Sequence, residues 1–98
     1  MTNDKMQNGN ELTINLTGRL DTTTAPQLEA ELKKSLDGVE LLILDFASLD
    51  YISSAGLRVL LAAQKVMNRQ GRMEIYHVNE TIADVFDVTG FSDILTIK

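Results

Sequence analysis

The sequence predicts an α/β fold, a mostly parallel or mixed sheet of four to five strands with about three main helices packed against it. Segments of strand character alternate with segments of helical character along the chain. This alternation implies right-handed crossovers that pack helices against a largely parallel sheet. The chain has 98 residues, 44% of them hydrophobic, and contains no repeat or linker. We therefore expect one domain, residues 1–98, that buries roughly 60–70% of its unfolded surface.

The first sheet elements flank a turn. Three apolar residues alternate with polar ones over 11–17, which is the period of a strand with one buried face. Asn8 and Gly9 form a turn signal just before this segment. They predict a short edge strand within residues 1–7 that pairs with the strand after the turn.

The first helix follows a polar loop, predicted at 18–24. Thr24 and Gln27 have the spacing of a capping box, and Pro26 would lie in the first turn. Leucines spaced by four residues predict the buried face of this helix: Leu28, Leu32 and Leu36. Gly38 is expected to follow its end.

The central strand is predicted at 39–46. Its apolar run, 41–44, is typical of a strand covered on both faces. From Leu57 onward the apolar period becomes helical, so the second helix should begin near Ser53 or Ser54. A serine at that position can cap a helix by accepting a hydrogen bond from a first-turn amide.

The last third of the chain predicts another strand and another helix. Gly71 interrupts the helical pattern, and residues 72–78 have strand character. Asn79 is placed to cap a third helix that stops at Gly90. Residues 94–97 could add a final short strand.

Composition excludes several classes of partner. The formal net charge is -5, and lysine and arginine form no cluster. We expect no nucleic-acid partner, because binding phosphates needs a basic face, and an acidic surface suits a basic protein partner better. There is no cysteine for disulfides or thiolate chemistry. The apolar runs are too short for membrane insertion and the polar start lacks a signal peptide, so we expect a cytoplasmic protein.

No catalytic pattern is present in the sequence. His77 is the only histidine, with no cysteine and no carboxylate pattern around it, so we interpret it as structural. Glycine-rich phosphate loops are absent. Asp45 and Asp50 flank the end of the central strand and could form an acid pair or a metal site, although capping and solubility explain them with fewer assumptions. We therefore predict a protein that is not an enzyme and that holds no metal or cofactor.

Three segments should meet at one end of the sheet. Loops that follow parallel strands gather at a common edge, which would bring together 21–24, 53–56 and Asn79. We call this group the rim. It carries three threonines and two serines, and two helix N-termini point toward it. On physical grounds it could be an anion site or a polar protein-docking face.

Three stretches carry a resemblance to a known family. They are 18–25 (GRLDTTTA), 51–61 (YISSAGLRVLL) and 85–91 (VFDVTGF). In this order they resemble the first strand-to-helix turn, the signature and the last helix of STAS domains, specifically of bacterial anti-sigma-factor antagonists. The resemblance covers nearly the whole chain and implies a single STAS-like domain.

The resemblance also implies a function. Members of this family bind an anti-sigma factor, a serine kinase with the fold of a histidine-kinase-like ATPase, and so release a sigma factor that regulates transcription. Phosphorylation of the serine two residues before the signature glycine abolishes binding, and a serine phosphatase restores it. That serine is Ser54 here, with Ser53 as the alternate acceptor.

The partner-binding residues implied by the resemblance lie on the rim and in the helix after it: Asp21, Thr22, Thr23, Ser53, Ser54, Ala55, Gly56, Leu57 and Arg58. Related STAS domains serve other systems. The alternative function is therefore a non-phosphorylated STAS subunit of an ABC-type lipid transporter, which would bind an ABC ATPase instead of a kinase.

Overall fold

The structure, a computed structural model, describes residues 2–98. Its elements, in chain order, are β1 (Thr2–Asn8), β2 (Glu11–Leu20), α1 (Ala25–Ser35), β3 (Leu41–Ile52), α2 (Ser54–Gln70), β4 (Arg72–Tyr76), α3 (Glu80–Thr89) and a 3-10 helix (Phe91–Asp93). The four strands form one sheet in the order β1-β2-β3-β4. β1 is antiparallel to β2, whereas β2, β3 and β4 are parallel to one another. The predicted mixed sheet with three main helices is confirmed.

The predicted hairpin at the start of the chain is also confirmed. Gly9 has a φ of 64°, the left-handed conformation that a tight turn requires and glycine adopts readily. β1 also contacts the helical layer, since Lys5 Nζ lies 3.2 Å from a carboxylate oxygen of Glu31 in α1. Met1, which the predicted edge strand included, lies outside the described residues.

One core holds the helices on the sheet. Alternate residues of β2 and β3 are fully buried, among them Ile14 and Leu44, while Thr13 and Ile43 on the opposite face are only half-buried. All three helices contribute to this one core. The prediction that the central strand is covered on both faces is therefore wrong, because successive crossovers of the same hand place the helices on one face.

Two strands run further than predicted. β2 continues to Leu20, which takes in the first three residues of the loop predicted at 18–24, and β3 begins later than predicted and continues to Ile52. Their pairing shifts register between Asn15 and Thr17 and again after Gly18. Such irregularities let paired strands continue where the alternating pattern of the sequence is lost. β4 is shorter than predicted because the chain turns at His77, which has a φ of 60°.

The ends of α3 follow the sequence signals. Asn79 Oδ1 accepts a hydrogen bond of 2.8 Å from the Ile82 N–H, so the predicted cap is confirmed. Gly90 ends the helix with a φ of 81°. The final strand predicted at 94–97 does not form. This segment follows the 3-10 helix and makes one isolated bridge, between Ile75 and Ile97. No helix within residues 2–98 is both long enough and apolar enough to cross a membrane.

Phe86 connects α3 to the sheet, and its removal tests this packing. Its ring is fully buried, with its centroid 6.5 Å from that of Phe46 in β3. We expect Phe86→Ala to lower the free energy of unfolding by about 3–5 kcal/mol, because it leaves a cavity in the core. The measurement is the midpoint of urea unfolding.

Val88→Ala is the matched control, because Val88 lies on the same helix and is 87% exposed. It should change the free energy of unfolding by no more than about 0.5 kcal/mol. Equal losses in the two variants would contradict the packing described for α3.

Candidate functional site

The structure brings two of the three rim segments together at the ends of β2 and β3. The Ser53 N–H donates a hydrogen bond of 2.9 Å to the Leu20 carbonyl, which joins the residue after β3 to the last residue of β2. The Asn79 side-chain amide donates a hydrogen bond of 2.9 Å to the Leu49 carbonyl. The start of α3 is thereby attached to β3 three residues before the end of the strand. The segments 21–24 and 53–56 therefore meet as predicted, whereas Asn79 is joined to them only through β3.

Asp21 organises the turn between β2 and α1. Its Oδ1 accepts hydrogen bonds from the backbone N–H groups of Thr23, at 3.0 Å, and Thr24, at 3.1 Å. The hydrogen bond from the Thr24 N–H is the largest influence on the carboxylate, and together these bonds hold the pKa of Asp21 below the usual range. Thr22 and Thr23 remain exposed on this turn.

The capping box predicted for Thr24 and Gln27 is wrong. Thr24 makes no side-chain cap to α1. Its hydroxyl donates a hydrogen bond of 2.7 Å to the Arg19 carbonyl and accepts a hydrogen bond of 2.9 Å from the Asp21 N–H. Because both bonds go back to the end of β2, the hydroxyl stabilises the turn instead of the first turn of the helix.

The start of α2 places two neighbouring serines in opposite environments. Ser53 is extended, and its Oγ is buried without a hydrogen-bond partner among residues 2–98. The side-chain cap predicted at this position is therefore absent. Ser54 is the first residue of the helix and is exposed. The first turn contains no acidic side chain, so the positive end of the helix dipole has no local counter-charge.

Gly56 explains how α2 approaches the strand ends. A β-carbon at this position would lie 2.8 Å from Ile52 Cγ1 and 2.8 Å from Leu20 Cγ. These distances are shorter than carbon atoms tolerate, so a residue without a side chain is needed for this packing. Gly56 and Leu57 are both buried. Of the partner-binding residues implied at 53–58, Gly56 and Leu57 therefore lie beneath the surface, whereas Arg58 is exposed and Ala55 is half-buried.

The structure adds two residues that the sequence reasoning did not place on the rim. The Arg19 guanidinium carbon lies 4.4 Å from the centroid of the Tyr51 ring, a cation–π contact. Arg19 Nε also lies 3.5 Å from Asp21 Oδ2. Arg19 lies in the 18–25 stretch and Tyr51 in the 51–61 stretch, but the register shift after Gly18 is what places the two residues opposite each other. The sequence carries no signal for that shift.

Outside the rim, His77 and Asp45 form a pair. His77 Nδ1 lies 2.9 Å from Asp45 Oδ1, a pairing between β3 and the residue after β4 that the residues around His77 in the sequence do not indicate. Burial acts to raise the pKa of Asp45, but the Ala47 N–H and His77 outweigh it and hold the pKa below its usual range. Asp50 is exposed and is not part of this pair. Among residues 2–98 no three metal-binding side chains come together.

The shape of the rim favours a large partner over a small molecule. Two concavities lie away from the rim: one is an apolar groove of about 390 Å³ between α1 and α2, and the other lies beside Asn10 and Arg72. The rim instead offers hydroxyls and an aromatic–cation pair on an open surface. A surface of this kind suits contact with another protein.

Comparisons with known proteins cover the whole fold. The family model described as the STAS domain matches residues 3–98. BtrV of Bordetella bronchiseptica, named as an anti-sigma factor antagonist, is 40% identical over 84 residues, which cover 84% of this chain and 72% of BtrV. The anti-sigma-B factor antagonist of Bacillus subtilis is 30% identical over 96 residues, which cover 97% of this chain and 88% of that protein.

Solved structures show the same fold at lower identity. The anti-sigma factor antagonist SpoIIAA in its unphosphorylated form aligns with a TM-score of 0.78 and 21% identity, covering 99% of this chain and 87% of SpoIIAA. Its phosphorylated form, described as a Bacillus cell fate determinant, aligns with a TM-score of 0.77 and 21% identity, covering 99% and 91%. At this identity the likeness establishes the fold.

Asp21→Ala tests the turn that shapes the rim. The folded state lowers the pKa of Asp21, so its stabilising effect is fully present at neutral pH and is lost as the pH falls through the lowered pKa. We expect the variant to be less stable than wild type at about pH 7, and the difference to narrow toward about pH 3. The measurement is urea unfolding across this pH range.

Asp50→Ala provides the control for removing an exposed carboxylate from the same region. It should change the free energy of unfolding by no more than about 0.5 kcal/mol at neutral pH. A stability difference between wild type and Asp21→Ala that is independent of pH would contradict the role given to the carboxylate.

Proposed function

Because this chain belongs to the STAS domain family, we propose that it is an anti-sigma factor antagonist that binds an anti-sigma factor and so releases a sigma factor. The proposal is supported by relatives named as anti-sigma factor antagonists that align over most of their own length. The role is regulatory, and it acts on transcription through protein–protein contact. It agrees with a rim that is an open polar surface instead of a small-molecule cleft.

The anti-sigma factor in this proposal is a serine kinase with a histidine-kinase-like ATPase fold, and its phosphoacceptor is Ser54. The observation that carries this assignment is the contrast between the two serines at the start of α2. Ser54 is exposed, whereas the hydroxyl of Ser53 is buried. A kinase has to reach the hydroxyl that it phosphorylates, so this contrast favours Ser54 over the alternate acceptor Ser53.

The proposed docking face consists of the exposed and half-buried residues around this serine: Arg19, Asp21, Thr22, Thr23, Tyr51, Ser54, Ala55 and Arg58. Gly56 and Leu57 support it from below. Phosphorylation would add about -1.5 to -2 charge and three acceptor oxygens near its centre. A contact surface that is desolvated on binding cannot accommodate that group, so the complex would dissociate.

The same phosphate leaves the fold intact in this proposal. It would lie at the N-terminus of a helix, where negative charge is favourable and where α2 has no acidic side chain of its own. SpoIIAA is known in phosphorylated and unphosphorylated forms, and this chain matches both about equally well. We therefore assign the switch to the surface and not to a rearrangement, with a serine phosphatase in the cytoplasm restoring the unphosphorylated form.

Ser54→Asp tests the partner switch directly. Wild-type protein should capture a kinase-like ATPase from the native host lysate, and Ser54→Asp should not, because its carboxylate mimics part of the phosphate charge. With the purified kinase we expect affinity to fall about 100-fold or more. The measurements are mass spectrometry of captured proteins and isothermal titration calorimetry, with circular dichroism to verify that the fold is unchanged.

Asn68→Asp is the matched control. It makes the same change in charge on the same helix, about 20 Å along the axis from Ser54, and should bind the kinase like wild type. Incubation with kinase and ATP should label Ser53→Ala but not Ser54→Ala. If wild type and Ser54→Asp both captured the same ABC ATPase, the transporter-subunit alternative would replace this proposal.

A further inference from the structure

Arg58, in the second turn of α2, forms no ion pair with another residue among 2–98. It is exposed on α2, and this helix contains no aspartate or glutamate. An exposed arginine of this kind is available to pair with a negative charge introduced nearby.

The helix places Arg58 next to Ser54. Both residues are exposed and lie four positions apart within α2, so their β-carbons are about 5–6 Å apart on one helix face. Side chains in a helix tilt toward its N-terminus, which directs the long arginine chain back over the turn that begins with Ser54. A negative group followed four residues later by a positive one is the favourable order for such a pair.

We propose that Arg58 is the internal counter-ion of a phosphate on Ser54, so that phosphorylation also withdraws this arginine from the docking face. The inference rests on the proposed phosphorylation of Ser54. A guanidinium binds phosphate oxygens through two parallel hydrogen bonds, which a lysine cannot reproduce. Phosphorylation then changes the docking face twice, by adding negative charge and by occupying a positive side chain that the unphosphorylated protein offers to its partner.

The test measures the second ionisation of the phosphate. Phosphoserine is installed at position 54 during translation in wild type and in Arg58→Gln, and phosphorus NMR follows the phosphate between about pH 4 and pH 8, around its second pKa of about 6. A nearby arginine favours the dianion, so its removal should raise the midpoint by about 0.3 pH unit or more.

Two further variants make the result specific. Arg69→Gln removes an exposed arginine from the far end of the same helix and should titrate like wild type. Arg58→Lys keeps the charge without the paired hydrogen bonds and should lie between wild type and Arg58→Gln. Identical midpoints for wild type and Arg58→Gln would overturn the proposal, as would an equal shift in Arg69→Gln.

This experiment is independent of the proposed partner. Because the phosphate is installed without the kinase, failure to capture a kinase would remove the proposed function and leave the titration result standing. If the phosphate midpoint were the same in wild type and Arg58→Gln while unphosphorylated wild type still bound the kinase, only the role of Arg58 would be removed.

Discussion

The close contact between the start of α2 and the ends of β2 and β3 is the constraint on which the rim depends. A hydrogen bond joins Ser53 to Leu20 at the strand ends, and Gly56 lies where any β-carbon would overlap both strands. This contact fixes the direction in which α2 leaves the sheet. It buries the Ser53 hydroxyl and leaves the next side chain, Ser54, in solvent. The exposure of one serine is therefore a result of backbone packing in the core.

The backbone N–H groups at the starts of α1 and α2 differ in their hydrogen-bond acceptors. At the start of α1, Asp21 accepts the backbone hydrogen bonds of its turn and is held in its charged form. At the start of α2, neither Ser53 nor any acidic residue supplies such an acceptor. A carboxylate thus lies in the turn before α1, whereas none lies in the first turn of α2. The proposed phosphate on Ser54 would therefore meet less like charge than one on the exposed threonines of the Asp21 turn.

Local signals predicted much of this fold. The turn at Gly9 and the cap at Asn79 each depend on residues a few positions apart, and both were found where the sequence placed them. Contacts set by strand register were not predictable. The Arg19–Tyr51 pair depends on a register shift, and no pattern in the sequence marks it. Because of the same shifts, the C-terminal ends of β2 and β3 could not be predicted from alternation. The chemical roles of the rim came from the resemblance and remain proposals.

The exposure of Ser54 also has a consequence for timing. Its side chain lies outside the core, so attaching or removing a group there would require no buried contact to open. Local unfolding and domain motions, which take microseconds to seconds, would then contribute no delay to the response. The lifetime of each state in the proposed switch would be set by the turnover of the proposed kinase and phosphatase. A cell could adjust the duration of its response through the amounts of those enzymes while this protein stayed unchanged.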